Sequence, residues 1–424
     1  MENRSTEAFL KKYALCADCY DLAAEIGKFR GEMLCGLDGE ESSLWMIPTF
    51  LSSDVPPFPD RKVIVLDAGG TNLRVGAVAF TKGRVSDVQF RKYPLPGTDR
   101  TLTKDEFFDA VAEKLAPYLD ESDSIGFCFS YVAKCTEDKD AELVAFCKEV
   151  KVTGAEGAHI CRELDAAIRR RGVTKKYRYV QLNDTVATHL GGMAACDRTQ
   201  YDGFIGFILG TGTNGCYTEQ TEAIHKYTGS VYREKNMIVN MESGCYAGFT
   251  GGELDALVDA ASAIPGDHPA EKMISGAYLG KILALALRRA AEEGLLTAKL
   301  PETLTEIPMP DVNAFLAEEK SVLDTLIPES DRAAVREIIL GLYGRTARLM
   351  AVVFASVALH TGCGRTKPMG IVIEGSTYQK SPFLQKALAR ELRALKIFYG
   401  CDFVILGAEN ATLTGAAFAA LSNR

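Results

Sequence analysis

Two segments, about 140 residues apart, carry the same device: KVIVLDAGGTNLRVGAVAF at 62–80 and DGFIGFILGTGTNGCYTEQ at 202–220. Each is an alternating apolar strand that enters a tight Gly/Thr turn and returns as a second strand, which predicts a β-hairpin. Gly69, Gly70 and Thr71 in the first turn, and Gly210, Thr211 and Gly212 in the second, can offer main-chain N–H groups and hydroxyls to an anion, because glycine admits close approach of the backbone. One such turn alone is more often a plain turn. Two of them facing each other would grip the phosphate tail of a nucleotide.

Asp67 precedes the first turn by two residues. A carboxylate beside a phosphate repels it unless a cation lies between, and Mg2+, which takes one carboxylate plus phosphate oxygens and waters, meets that need; the alternative is an ordinary turn aspartate. Arg74 on the return strand fits either an ion pair or a phosphate clamp. Asp184, in QLNDTVATHL, stands where a strand passes into a helix. It is either an N-cap or a carboxylate at the strand's C-terminal edge, placed to take the proton from an attacking hydroxyl. Asn214, Glu242 and Glu271 are individually a turn amide, a loop acid and a first-turn helix acid. Together with Asn183, Asp184 and Lys148 they make the amide and carboxylate lining that several hydroxyls of one sugar require.

The elements that must position these groups are those of an α/β protein. Strands are predicted at 62–68, 73–80, 85–92, 124–130, 177–182, 369–374 and 402–406, besides the second hairpin. Helices are predicted near 104–118, 158–171, 185–195, 252–261, 271–293, 311–325 and 382–395, with a long pair over 331–361 and a small-residue helix at the C-terminus. Phe9, Tyr13, Cys16, Tyr20, Ile26, Phe29 and Met33 recur at helical spacing, which predicts one amphipathic helix over 6–36. That spacing puts Cys16 and Cys19 on one helical face, as core rather than as a metal or redox pair. The repeated hairpin points to two related α/β halves.

At 424 residues the chain is long enough for two domains, and 47% hydrophobic with 25% charged residues is the balance of a globular core. A net charge of −8 with no basic stripe argues against a nucleic-acid surface. The apolar run at 349–360 is too short to cross a bilayer and the N-terminus is polar, so no membrane is expected and a cytoplasmic enzyme fits. Twelve cysteines scattered through a chain of this size, several inside apolar runs, read as reduced core residues.

In chain order these segments closely resemble the hexokinase and glucokinase family of the actin-like ATPase superfamily. LDAGGTNLRV at 66–75 matches the first phosphate motif, GFCFSY at 126–131 the start of the sugar loop, and QLNDTVAT at 181–188 the Asn-Asp pair. FILGTGTNGCY at 207–217 is similar to the second phosphate motif, VNMESG and AEKMISGAYLG supply two family glutamates, and IEGSTYQKSPF at 373–383 resembles the adenosine motif. The resemblance implies two ribonuclease H-like lobes around a deep cleft: a small lobe of 60–185 plus 411–424, and a large lobe of 1–59 plus 186–410 with helical additions. It implies an ATP- and Mg2+-dependent hexokinase, with Asp184 the general base on the 6-hydroxyl of a hexose, glucose being the expected sugar.

By the same resemblance Ser130, Lys148, Asn183, Asn214, Glu242 and Glu271 hold the sugar, with Lys148 also near the transferring phosphoryl group. Asp67, Thr71, Asn72, Arg74, Thr211 and Gly212 engage phosphates and Mg2+, and Gly375 and Ser376 the adenosine. The chain departs from the family where Tyr131 and Val132 replace Phe-Pro, where Cys147 replaces a threonine before Lys148, and where GAENATLTGAA replaces a Gly-Ser-Gly turn. These departures leave a kinase of mannose, fructose or a hexosamine as the alternative, with a non-catalytic sugar sensor behind it. One catalytic unit of length implies a form that is not internally doubled, as monomer or homodimer.

Overall fold

The computed structural model describes residues 5–54, 58–146, 150–229 and 231–423. Cys147 and Lys148 lie outside the described residues. The N-terminal stretch is broken into α1 (Thr6–Lys12), a single 3-10 turn (Ala17–Cys19) and α2 (Leu22–Asp38), where the apolar spacing predicted one helix. The physical reason is that each helix has its own cap. Ser5 accepts the Ala8 N–H and Asp21 the Ala24 N–H, and Ala14, at φ 53°, turns the chain out of α1. The apolar positions keep their period because the pieces pack on one long helix. Cys16 and Cys19 therefore meet across the 3-10 turn, Sγ to Sγ 3.4 Å, rather than on a helical face.

Then follow β1 (Ile47–Pro48), β2 (Arg61–Gly69), β3 (Asn72–Thr81), β4 (Arg84–Pro94), β5 (Leu102–Thr103), α3 (Lys104–Leu115), β6 (Ser124–Phe129), β7 (Val132–Cys135), β8 (Ala141–Ala145), β9 (Val152–Thr153), α4 (Ile160–Arg170), β10 (Arg178–Leu182) and α5 (Asp184–Ala195). Next come β11 (Gly203–Leu209), β12 (Thr213–Gln220), β13 (Asn236–Asn240), α6 (Glu253–Ala260), α7 (Pro269–Ile274), α8 (Gly276–Glu292), α9 (Met309–Leu316), α10 (Leu323–Leu326) and α11 (Arg332–Thr361). The chain ends with β14 (Met369–Glu374), α12 (Ser376–Gln379), α13 (Pro382–Tyr399), β15 (Phe403–Leu406) and α14 (Ala411–Ser422). The predicted helix over 271–293 is two helices, split at Ser275, and the predicted pair over 331–361 is one. The helix that spans Glu329–Thr361 has the length and hydropathy of a membrane span, but 78% of its apolar window is buried inside the protein.

The repeat goes deeper than the hairpins. One sheet runs β10-β6-β2-β3-β4 and the other β15-β14-β11-β12-β13-β1. In each, a three-stranded antiparallel meander receives two parallel strands on the side of its first member. The equivalent helices α5 and α14 pack on one another between the two sheets, α5 against β11 and β14, α14 against β2, β6 and β10. Their approach requires glycine: a Cβ on Gly415 would lie 1.8 Å from the Ala187 carbonyl oxygen, and one on Gly191 2.2 Å from that of Ala411. Residues 185–194 of α5 are all buried in consequence.

Candidate functional site

The first hairpin folds as predicted, with Asp67 opposite Arg74 and Gly69 opposite Asn72, leaving Gly70 and Thr71 as a two-residue loop. Gly70 has φ 58°, the left-handed value that such a loop demands and glycine meets without strain. Asp67 is buried, ion-paired to Arg74, and accepts a 2.9 Å hydrogen bond from the Thr412 hydroxyl at the start of α14. Arg74 Nη2 also donates to Thr412 Oγ1 at 2.6 Å. Thr412, which the sequence marked only as a departure, thus ties the C-terminal helix to the carboxylate of the first turn.

Asp184 is not the cap of its helix. Asn183 takes that position, its Oδ1 accepting the Val186 N–H at 2.9 Å, while Asp184 occupies the first turn with the Thr185 hydroxyl 3.3 Å from Oδ1. One cavity of about 470 Å³ is lined by Asp67, Gly69, Gly70, Asn72, Arg74, Ser130 and Asp184, so seven of the sequence-selected residues converge. Its remaining lining includes Lys92 and Thr412. Lys92 was missed because its signal lies only in sheet register: it pairs with Arg74 across β3 and β4 and places a second cation beside the turn.

Asp184 also faces the other lobe. Burial pushes the Glu242 carboxyl above its usual range, and the Asp184 charge adds to the shift. Glu242 itself has φ 52°, a left-handed conformation rare for a glutamate and held here by its surroundings. Its Oε1 accepts from Asn240 Nδ2 at 2.6 Å, and Asn240 Oδ1 accepts from Asn214 Nδ2 at 2.9 Å. The Asn214 Oδ1 in turn receives the Gly215 and Ser243 N–H groups. Asn240 is the member of this chain that sequence reasoning missed, although it stands two residues before Glu242 in the same motif.

On the second hairpin, Leu209 pairs with Thr213 and Gly210, Thr211 and Gly212 form the loop. Its carbonyls are taken from behind: Gly210 O accepts the Gly276 N–H at 2.8 Å and the Thr377 hydroxyl at 2.9 Å, and Thr211 O the Ala277 N–H at 3.3 Å. Glu271 Oε2 accepts the Thr213 N–H at 3.0 Å, and a Cβ on Gly212 would come within 2.5 Å of that oxygen. Glu271 is therefore fixed to the second turn.

Gly375 and Ser376, which the resemblance places at the adenosine, stand directly after β14. Gly375, at φ 116°, is where a Cβ would lie 2.3 Å from the Leu209 carbonyl oxygen, so it serves the contact between β14 and β11, and Ser376 opens α12. The adjoining cavity of about 730 Å³ is walled by Glu374, Gln379 and Asn410 and shares Arg74 and Thr412 with the first. Cys128 is fully buried opposite Asp67 in the β2–β6 register, and burial, with the nearby Asp67 and Asp184 charges, pushes its thiol well up.

Family models described as hexokinase match residues 7–194 and 204–422. Hexokinase-2 of Homo sapiens is 31% identical over 427 residues, covering 93% of this chain and 46% of that protein; hexokinase-1 of Homo sapiens is 29% identical, covering 87% and 43%. The chain thus spans about half the length of the curated relatives it matches. In fold, the hexokinase of Schistosoma mansoni complexed with glucose superposes with a TM-score of 0.78 at 24% identity, covering 98% of both chains. Another hexokinase crystal structure gives 0.81 at 22% identity, covering 99% of this chain and 100% of that one. The two sheets and the α5/α14 pair between them are accordingly the two-lobed actin-like ATPase fold. Matched by family models along almost all of its length, the chain belongs to the hexokinase family.

Proposed function

We propose that this chain transfers the terminal phosphoryl group of ATP to the 6-hydroxyl of a hexose, with glucose the expected sugar. The observation that carries it is the single cavity joining Asp184 to the first glycine turn, Asp67 and Arg74. Asp184 would accept the proton of the 6-hydroxyl, freed from capping duty by Asn183. Asn183, through Nδ2, would hold the sugar with Asn214, Glu242, Glu271 and Ser130. Thr71, Asn72, Arg74, Thr211 and Gly212 would meet the phosphates, so that catalysis consists of placement and charge neutralisation. The same proposal takes 60–185 with 411–424 as the lobe that moves against 1–59 with 186–410, supported by the packing of α14 on β2, β6 and β10. Closure would exclude water, the competing nucleophile.

One buried carboxylate, Asp67, beside a glycine turn suits Mg2+, which takes its other oxygens from phosphate and water. Bound Mg2+ supplies positive charge to the donor's phosphate oxygens. Asp67 would hold it through water, its Oδ2 being engaged by Arg74 and Thr412.

A coupled assay across glucose, mannose, fructose and hexosamines, with ATP and Mg2+, tests the proposal. Turnover on none of them, beside clear sugar binding in calorimetry, would favour the sensor. Two further outcomes follow. Lys92→Met is expected to weaken nucleotide binding roughly fivefold at low ionic strength and less at high salt, because the lost charge is exposed and screened; equal salt dependence in both proteins would remove Lys92 from the site. Because the folded-state pKa of Glu242 is raised above 4.5, its carboxylate is lost on acidification earlier than an ordinary glutamate's. Hexose affinity should therefore fall on the acid side with a midpoint above 4.5, and Glu242→Gln should flatten the profile. The same shift acts oppositely on stability: the buried charge costs folding free energy at neutral pH, a cost removed as pH falls through the folded pKa.

A further inference from the structure

In the two-residue loop of the first hairpin Gly70 is at φ 58° and Thr71 is not at positive φ; a flip of the peptide joining them would carry Thr71 to positive φ, a strained form for a β-branched residue. In a trans peptide the C=O and N–H point in opposite directions, so whatever holds the Gly70 carbonyl decides where the Thr71 N–H points. The Tyr131 hydroxyl donates to Gly70 O at 2.8 Å, and the neighbouring Thr71 O accepts the Leu95 N–H at 2.9 Å. The tyrosine ring is 5% exposed and lies 5.1 Å, centroid to centroid, from both Phe129 and Phe146, so the hydroxyl is delivered by a fixed ring. The second turn is built on the same plan from other groups, its Gly210 carbonyl held from behind by Gly276 N–H and the Thr377 hydroxyl. Both turns thus have a glycine carbonyl held by groups of the protein.

We propose that Tyr131 is a positioning residue that locks the Gly70–Thr71 peptide with the Thr71 N–H turned into the cleft, and that it makes donor-phosphate affinity depend on where the segment beginning at Ser130 sits. Ser130 is itself joined to the strand before the turn, its N–H donating to Ala68 O at 3.0 Å. Movement of that segment on sugar binding would reach the phosphate turn through one side chain, and by linkage the effect is reciprocal. The inference rests on the phosphotransferase reading for the identity of the anion.

The test compares wild type with Tyr131→Phe, which keeps the ring and its stacking. Calorimetry with a non-hydrolysable ATP analogue and Mg2+, with and without saturating glucose, should show nucleotide affinity reduced roughly fivefold in the variant, the usual worth of one neutral hydrogen bond. The tightening produced by glucose should shrink as well. The Thr71 amide resonance should shift on nucleotide binding in wild type and much less in the variant, a change that a merely structural tyrosine would not produce. Equal affinities, equal glucose enhancement and equal Thr71 shifts would overturn the proposal. If wild type binds nucleotide but no hexose, the proposed function fails, while the sugar-free comparison still decides the role of Tyr131.

Discussion

Asp184→Asn should leave hexose binding nearly intact and lower kcat by roughly 10² to 10⁴, the range for loss of a positioned general base. The variant is expected to fold normally, because the helix keeps its cap: Asn183 Oδ1 accepts the Val186 N–H at 2.9 Å whatever stands at 184. The substitution also removes a negative charge that acts on Glu242 and Cys128, so the surrounding site loses repulsion rather than support. Calorimetry for the sugar and a coupled assay for turnover separate the two effects. A variant as active as wild type would show that the proton leaves by another route; a variant that no longer binds sugar would make Asp184 a binding group.

The second large effect is on stability and reaches the site indirectly. Arg345 in α11 is fully buried, paired with Asp255 Oδ2 at 2.8 Å, and donates to the carbonyls of Met273 at 2.9 Å and Ala14 at 3.3 Å. It joins α6, α7, α11 and the turn after α1. Asp255→Ala leaves that guanidinium buried without its carboxylate, a change expected to cost about 3–5 kcal/mol in denaturant unfolding. Because Met273 belongs to α7, which carries Glu271, the hexose KM should rise in the same variant. Replacing both partners, Asp255→Ala with Arg345→Met, should cost less than Asp255→Ala alone, as the uncompensated charge is then gone. A double variant that loses the sum of the two single effects would mean the pair is not coupled.

Much of the site could be read in the chain because phosphate recognition is local. A glycine turn with its flanking Asp67, Thr71 and Arg74 is written in ten consecutive residues, and the strand that delivers Asp67 is a continuous apolar run because both its faces are covered. Asp184 was legible as one of two alternatives, and only the structure shows that its neighbour does the capping. What escaped was non-local. Lys92 joins the site through cross-strand register, Thr412 through a helix packed from the far end of the chain, and Tyr131 through a hydroxyl that bridges 61 residues. Gly375 has a reason to be glycine that only the structure shows, since a Cβ there would lie 2.3 Å from the Leu209 carbonyl oxygen. The N-terminal helix is broken where apolar spacing continues, because the break is written only in the Asp21 cap of α2 and the left-handed backbone of Ala14.

The most direct test is phosphorus NMR of the product formed from ATP, Mg2+ and glucose by the wild-type protein. The expected result is one phosphomonoester coupled to the two C6 protons, formed at a rate that falls by at least about 10² in Asp184→Asn. Phosphate on another hydroxyl, or release of inorganic phosphate with no sugar ester, would contradict the placement of Asp184 between the sugar and the phosphate turn.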